Sequence, residues 1–434
     1  FIISLILLKF FKRFQQNLII ILSLIFYSFW NVYFVFLILY FCFFTYFFIK
    51  NRYRLKISIF FLISPLIYFK YSIFILKMTK LNFLLEYAYY DEVPLAISFI
   101  TFTAIAAVID VKKNIFNKDS VNFFSISEFI LFFPQLIAGP ILRLNELIPQ
   151  LKKKIVFKKE YIKLGLVLFL IGFVKKIFFA DNIAIFIDPI FESPELFQET
   201  DLFKSFILFP LQIYFDFSGY SDMAIGLGRL FGFHFPENFN APYLATSIRD
   251  FWRRWHMTLS AWFRDYLYFP LGGNRVSLAR NQFNLLLVFF LVGLWHGASW
   301  SFVFWGLFHG FFLALERTRF GEWVEQTPVV LRHIYTLFVV SIGWVFFRIE
   351  NFGDAIRFIR TLFGEVEPEI SVSIHSVMGN FEWTILSLGV FILLQPKWAH
   401  LFNSEQEWVR KRKTQIGLLI DTSLVVCLLL SIAQ

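Results

Sequence analysis

The sequence predicts an all-α polytopic membrane protein, and three observations carry that prediction. Of its 434 residues, 58% are hydrophobic and only 17% are charged, whereas a soluble domain carries about 25% charge. Apolar runs recur from end to end, each close to the ~20 residues that cross a ~30 Å hydrocarbon core. The short alternating segments of a membrane β-barrel are missing. A soluble surface also could not accommodate 64 phenylalanines without large apolar patches.

Taken in order, the opening FIISLILLKFFKRFQQN reads as the end of a helix or of a trimmed leader, and no small-residue cleavage site follows it. Spans are then expected near residues 18–30, 32–49, 57–75, 94–110 and 123–142. Others are expected near 161–179, 202–231, 283–312, 329–347, 380–395 and 414–432, which makes about eleven membrane segments. No internal repeat and no Ser/Gly linker interrupts the series, so residues 1–434 are expected to form one membrane domain.

Lysine and arginine exceed the acids by ten, and the excess sits between spans. KNRYRLK (50–56), KKKIVFKKEYIK (152–163) and RKRK (410–413) are the densest blocks. Basic connections of this kind stay on the cytoplasmic side and meet anionic headgroups, so the implied partners are membrane lipids and not nucleic acid. Cys42 and Cys427 lie far apart in apolar runs and cannot close a metal site between them. No metal site is expected.

The N-terminal hundred residues are plain Phe, Ile, Leu and Tyr, suited to packing. Between about 131 and 312 polar residues enter apolar surroundings, together with prolines and glycines. Ionisable groups at membrane depth are expensive and mark function. Broken helices are tolerated only against protein or a wet cavity, so the central third should enclose one.

Within that third, SIRDFWRRWHMTLSAWFRDYLYFPLGGNR (247–275) holds five arginines, three tryptophans and a histidine. If 249–262 is one helix, Arg249, Arg253, His256 and Ser260 share a stripe, with Phe251, Trp255 and Trp262 opposite. Such a helix either lies in the interface with its tryptophans at headgroup level, or lines a cavity mouth that receives a phosphate-bearing ligand. The neighbouring arginines would keep His256 neutral, fit to act as base or acceptor.

GLWHGASWSFVFWGLFHG (293–310) contains His296 and His309. On one straight helix they would stand about 20 Å apart along the axis, so they share a small site only if the helix breaks between them. Ser299, Trp300 and Val303 would sit on the His296 face. Gly293 and Gly297 would let another backbone approach, and His309 reads as a packing or hydrogen-bond partner. In YFDFSGYSDMAIG (214–226), Asp216 and Asp222 fall on different helical faces, as helix-break caps, ion ligands or partners for arginine. The serines there lack the nucleophile-elbow context.

The ordered motifs PLAISFITFTAIAAVIDV, FFPQLIAGPILR, IYFDFSGYSDMAIGLGRLFGFHFPENFNAPY, DFWRRWHMTLSAWFRDYLYFPLGGNR, GLWHGASW and GWVFFRIE span about 94–350. Together they closely resemble the membrane-bound O-acyltransferase family, nearest to its bacterial branch that O-acetylates alginate. The branch that moves D-alanine onto teichoic acids is more distant. The resemblance implies a helical shell around a central funnel and multi-pass residence in the bacterial inner membrane. It makes His296, by its LWHG context, and His256, in RRWHMTLS, the family's two site histidines.

It further implies transfer of an acyl group, acetyl above all, from a cytoplasmic thioester toward hydroxyls of an extracytoplasmic polysaccharide. The donor would be acetyl-CoA or an acyl carrier protein, no bound cofactor is implied, and a separate extracytoplasmic acyltransferase would complete delivery. Acyl transfer needs a base for the hydroxyl and donors for the oxyanion. His296 would supply the first, and Trp300 and Ser299 part of the second. Arg249 and Arg253 would meet the donor's phosphates. A transporter of a polysaccharide or lipid precursor would also explain a cavity, but it calls for inverted repeats, and none is visible.

Overall fold

The computed structural model describes residues 2–51, 53–87, 93–136 and 139–365. The spans expected near 380–395 and 414–432, the 410–413 basic block and Cys427 lie outside the described residues. Helices account for the regular structure, and there is no strand among the described residues. The chain divides into two compact units, Phe1–Phe169 with Ala224–Pro236, and Leu170–Met223 with the residues from Glu237 onward.

In the first unit, α1 (Gln15–Ser28), α2 (Phe34–Lys50), α3 (Leu55–Met78) and α4 (Ile97–Lys112) fall where spans were expected. Helix α3 is long and apolar enough to cross a membrane. Pro65 inside it lacks the N–H that would bond the Phe61 carbonyl. The Tyr40 hydroxyl of α2 donates to that carbonyl at 2.8 Å, so the missing backbone bond is replaced by a side chain. Helix α5 (Phe123–Leu131) starts from a reciprocal cap between Asn122 and Ser125 and stops short of Pro134. The expected span 123–142 is therefore broken, as FFPQLIAGP with its two prolines and a glycine requires. Helix α6 (Leu144–Leu151) follows, then α7 (Lys159–Val174), whose residues from 170 belong to the second unit.

In the second unit, α7 runs into a π-helical turn, Lys175–Asp181. Helix α8 (Glu199–Leu230), whose residues from 224 belong to the first unit, lies against it through glycines. A Cβ built on Gly219 would stand 2.7 Å from the Gly172 carbonyl oxygen, so only the bare backbone permits this approach. The approach brings the Lys175 ammonium to 2.6 Å from Asp222, and Lys176 to 2.6 Å from both Asp216 and Asp181. The two aspartates thus pair with lysines of the neighbouring turn. They cap no helix break, because α8 runs unbroken through both, and neither forms an ion pair with an arginine among the described residues.

Helices α9 (Ile248–Arg254), α10 (Met257–Phe263), α11 (Leu278–His296), α12 (Trp300–Leu315) and α13 (Val329–Arg348) complete the part that positions the site. Of these, α11 and α13 are long and apolar enough to cross a membrane. Phe251, Trp305 and Trp344 are fully buried among them. The Trp255 ring stacks on Phe251 at 5.6 Å and meets Trp344 at 4.9 Å.

Candidate active site

The single helix expected over 249–262 is not formed. It breaks at Trp255 and His256, where His256 adopts a left-handed backbone (φ 42°). The reason is a competing partner, the irregular segment 238–240. Asn240 N–H donates to the Arg254 carbonyl at 2.9 Å, and Met257 N–H donates to the Asn238 carbonyl at 2.9 Å. These bonds offset the strain of a non-glycine residue in this region. The expected stripe of Arg249, Arg253, His256 and Ser260 disappears with the helix.

The break turns the His256 side chain inward. It is 1% exposed, its Nδ1 lies 3.4 Å from Asn238 Oδ1, and the Phe217 ring meets it edge-on at 4.7 Å. The Thr258 hydroxyl donates to the same Asn238 oxygen at 2.6 Å. Asn238 therefore holds His256 and the first residues of α10, while Asn240 holds Arg254 on the other side of the break.

His296 ends α11, and here too the expected continuous span, 283–312, is broken. Gly297 is extended, and the Ser299 hydroxyl accepts the Phe302 N–H as the N-cap of α12. Helices α11 and α12 fold back as an antiparallel pair. A Cβ on Gly306 would stand 3.0 Å from the Gly293 Cα, so the close approach expected at Gly293 is present. At Gly297 an added Cβ would meet the Phe302 ring and not another backbone.

The half-buried His296 ring sits in an aromatic wall, with Trp295 at 4.5 Å and Trp305 and Phe347 each at 4.9 Å. Trp295 also reaches His256, at 6.3 Å between rings. One indole thus stands between the two histidines. Trp305 in turn contacts His309 at 5.2 Å. The hairpin brings His309 close to the His296 wall, an arrangement that a straight helix forbids. His309 is fully buried, and its ring nitrogens have no hydrogen-bond partner among the described residues.

The remaining expected residues divide. Ser299 serves as the N-cap of α12, and Trp300 is 57% exposed. Arg249 pairs with Glu325 at 3.1 Å, and its backbone N–H, like that of Ile248, donates to Glu316. Burial pushes the Glu316 carboxyl above its ordinary range, and those two N–H bonds oppose the push. Arg254 pairs with Asp250 and Arg264 with Asp265. Arg253 is exposed and has no ion pair among the described residues, which leaves its guanidinium available to a ligand. Sequence reasoning did not single out Asn238, Trp295 or Trp305. Trp295 stands beside His296 in GLWHGASW, and Asn238 lies in PENFNAPY, but pattern alone gave no reason to choose them.

A broken hairpin ending in a histidine, with a second histidine beyond one tryptophan, is set within motifs that can be compared with known proteins. The profile of the membrane-bound O-acyltransferase family matches residues 22–349. The chain belongs to this family. It is 35% identical to the peptidoglycan O-acetyltransferase of Helicobacter pylori over 92% of this chain and 86% of that protein. It is 43% identical to the probable alginate O-acetylase AlgI of Azotobacter vinelandii, over 62% of this chain and 54% of that protein. A teichoic acid D-alanyltransferase of Bacillus subtilis is 32% identical over half of this chain and 56% of its own length. A membrane-bound O-acyltransferase is a membrane enzyme of acyl transfer, which decides against the transporter reading.

Proposed function

We propose that this chain transfers an acetyl group from a cytoplasmic thioester toward hydroxyls of an extracytoplasmic polysaccharide, with His296 as the base. The observation that carries the reading is the His296 ring held by Trp295, Trp305 and Phe347 at the end of α11, with His256 beyond Trp295. Relatives named for acetyl transfer to alginate and peptidoglycan support the acyl group and the acceptor class.

In the proposed reaction a ring nitrogen of His296 takes the proton of the acceptor hydroxyl. The oxygen attacks the thioester carbonyl, a C–O bond forms and the C–S bond breaks. The thiolate leaves and takes the proton back. His256, tied to Asn238, positions the acceptor or the developing oxyanion across Trp295. Arg253, exposed and without a carboxylate partner among the described residues, meets the phosphates of coenzyme A or of a carrier protein's pantetheine arm. Arg249 borders that face, and Ser299 and Trp300 contribute to the donor's path. The enzyme resides in the bacterial inner membrane as a multi-pass protein with Lys152–Lys154 in the cytoplasm, and an extracytoplasmic acyltransferase receives the group.

The test is acyl transfer by His296→Gln and His309→Gln at equal membrane abundance. Loss of a general base should cost His296→Gln about 10²–10⁴-fold in rate, with donor binding retained and His309→Gln affected far less. A harmless His296→Gln would overturn the mechanism.

A further inference from the structure

Far along the sequence from the histidines, the first unit carries an open polar pocket of about 300 Å³, lined among others by Glu128 of α5, Gln15, Arg13 and Lys152–Lys154. Its charges are arranged unusually. Glu128 is completely buried, and both carboxylate oxygens lack a hydrogen-bond partner among the described residues. The four cations are exposed, and none of them forms an ion pair with Glu128 within the described residues. A buried, unpaired carboxylate is costly and persists where something else compensates it. Gln15 does not: its amide donates to the Leu8 carbonyl and its oxygen accepts the Ile155 N–H.

The separation itself selects the ligand. A plain phosphate would satisfy the exposed cations but leave the buried Glu128 oxygens without a donor. A zwitterion with an N–H-bearing ammonium inward and a phosphate outward satisfies both ends. We propose that this pocket binds a phosphoethanolamine group, its ammonium donating to Glu128 and its phosphate meeting Arg13 and Lys152–Lys154. The same group is carried by a phospholipid or exists as free O-phosphoethanolamine. Phe14 is 56% exposed beside Arg13 and α1 is apolar, so acyl chains would have a surface to follow. Choline's quaternary ammonium has no N–H to donate, which makes it the discriminating control.

The test is native mass spectrometry of the whole detergent-purified chain with dioctanoyl phosphatidylethanolamine, phosphatidylcholine and phosphatidylglycerol. The wild type should retain the ethanolamine lipid about tenfold better than the choline lipid, the scale of one charge-assisted hydrogen bond. Glu128→Gln should abolish that preference. Lys153→Ala with Lys154→Ala, both exposed, should weaken all three phospholipids. Free O-phosphoethanolamine that displaces the bound lipid shows that the head group suffices; failure to displace shows that the acyl chains contribute. A wild type that holds choline or glycerol lipid as tightly as ethanolamine lipid would overturn the proposal. So would an unchanged preference in Glu128→Gln, or unchanged retention in the lysine variant.

Discussion

Gly343 of α13 faces the His309 ring of α12, and a single methyl group there tests how the site wall is held. A Cβ on Gly343 would stand 2.5 Å from His309 Nε2 and 3.2 Å from Cε1. Non-bonded carbon atoms settle near ~3.5–4 Å, so something must give by about 1 Å. His309 cannot retreat freely, because Trp252 and Trp305 stand against it at 5.1 and 5.2 Å. Trp305 also forms one side of the His296 wall at 4.9 Å. The push is therefore handed on to His296.

Overpacking of this kind costs about 1–3 kcal/mol in stability, and a misplacement of ~1 Å near reacting groups can cost up to about 10²-fold in turnover. Gly343→Ala, His309→Ala and the double variant should be compared by thermal unfolding in detergent and by acyl transfer at equal protein. Removing the ring vacates the space the methyl needs. The double variant should then be less damaged than the sum of the singles, with a coupling of about 1–2 kcal/mol. Strictly additive losses would refute the reasoning, as would Gly343→Ala with wild-type unfolding and turnover.

Arg253→Ala should raise the apparent KM for the thioester donor by the loss of about 1–3 kcal/mol of charge-assisted bonding. Turnover should change less in donor titrations, and a fall in protein abundance alone would make Arg253 an anchor. Asp222→Ala leaves the Lys175 ammonium without its 2.6 Å partner. It should lower stability by on the order of 3 kcal/mol, reduced somewhat by the pair's partial exposure, and exchanging the two residues should restore part of it in thermal unfolding. Glu316 gives a pH dependence. Burial raises its carboxyl above the unfolded value of 4.5, so the folded state holds the proton to higher pH. The stability from this site is then full below the unfolded value and falls as pH rises through the folded one. Glu316→Gln should flatten that part of the melting-temperature profile, and an unchanged slope would assign it elsewhere.

Composition and run length by themselves determined that this is a helical membrane protein, since only helices and closed barrels satisfy backbone groups in lipid and the alternating segments of a barrel are missing. They also placed the helices from α1 to α13 that coincide with expected spans, because burial in lipid leaves a signature that needs no knowledge of neighbours. The order of motifs determined the family and drew attention to His256 and His296. What the sequence could not decide was where a helical pattern stops being a helix. Periodicity permitted one helix through Arg249, Arg253 and His256, but the Asn238–Asn240 backbone competes for the same hydrogen bonds and turns His256 inward. Periodicity likewise ran through His296 to His309, whereas extended Gly297 and the Ser299 cap reverse the chain there. That reversal is what lets Trp305 touch both histidines, and the inward turn is what puts Trp295 between His256 and His296. Each depends on contacts between residues distant in sequence or across a turn, and such contacts leave no period to read. Only the tertiary structure decided them.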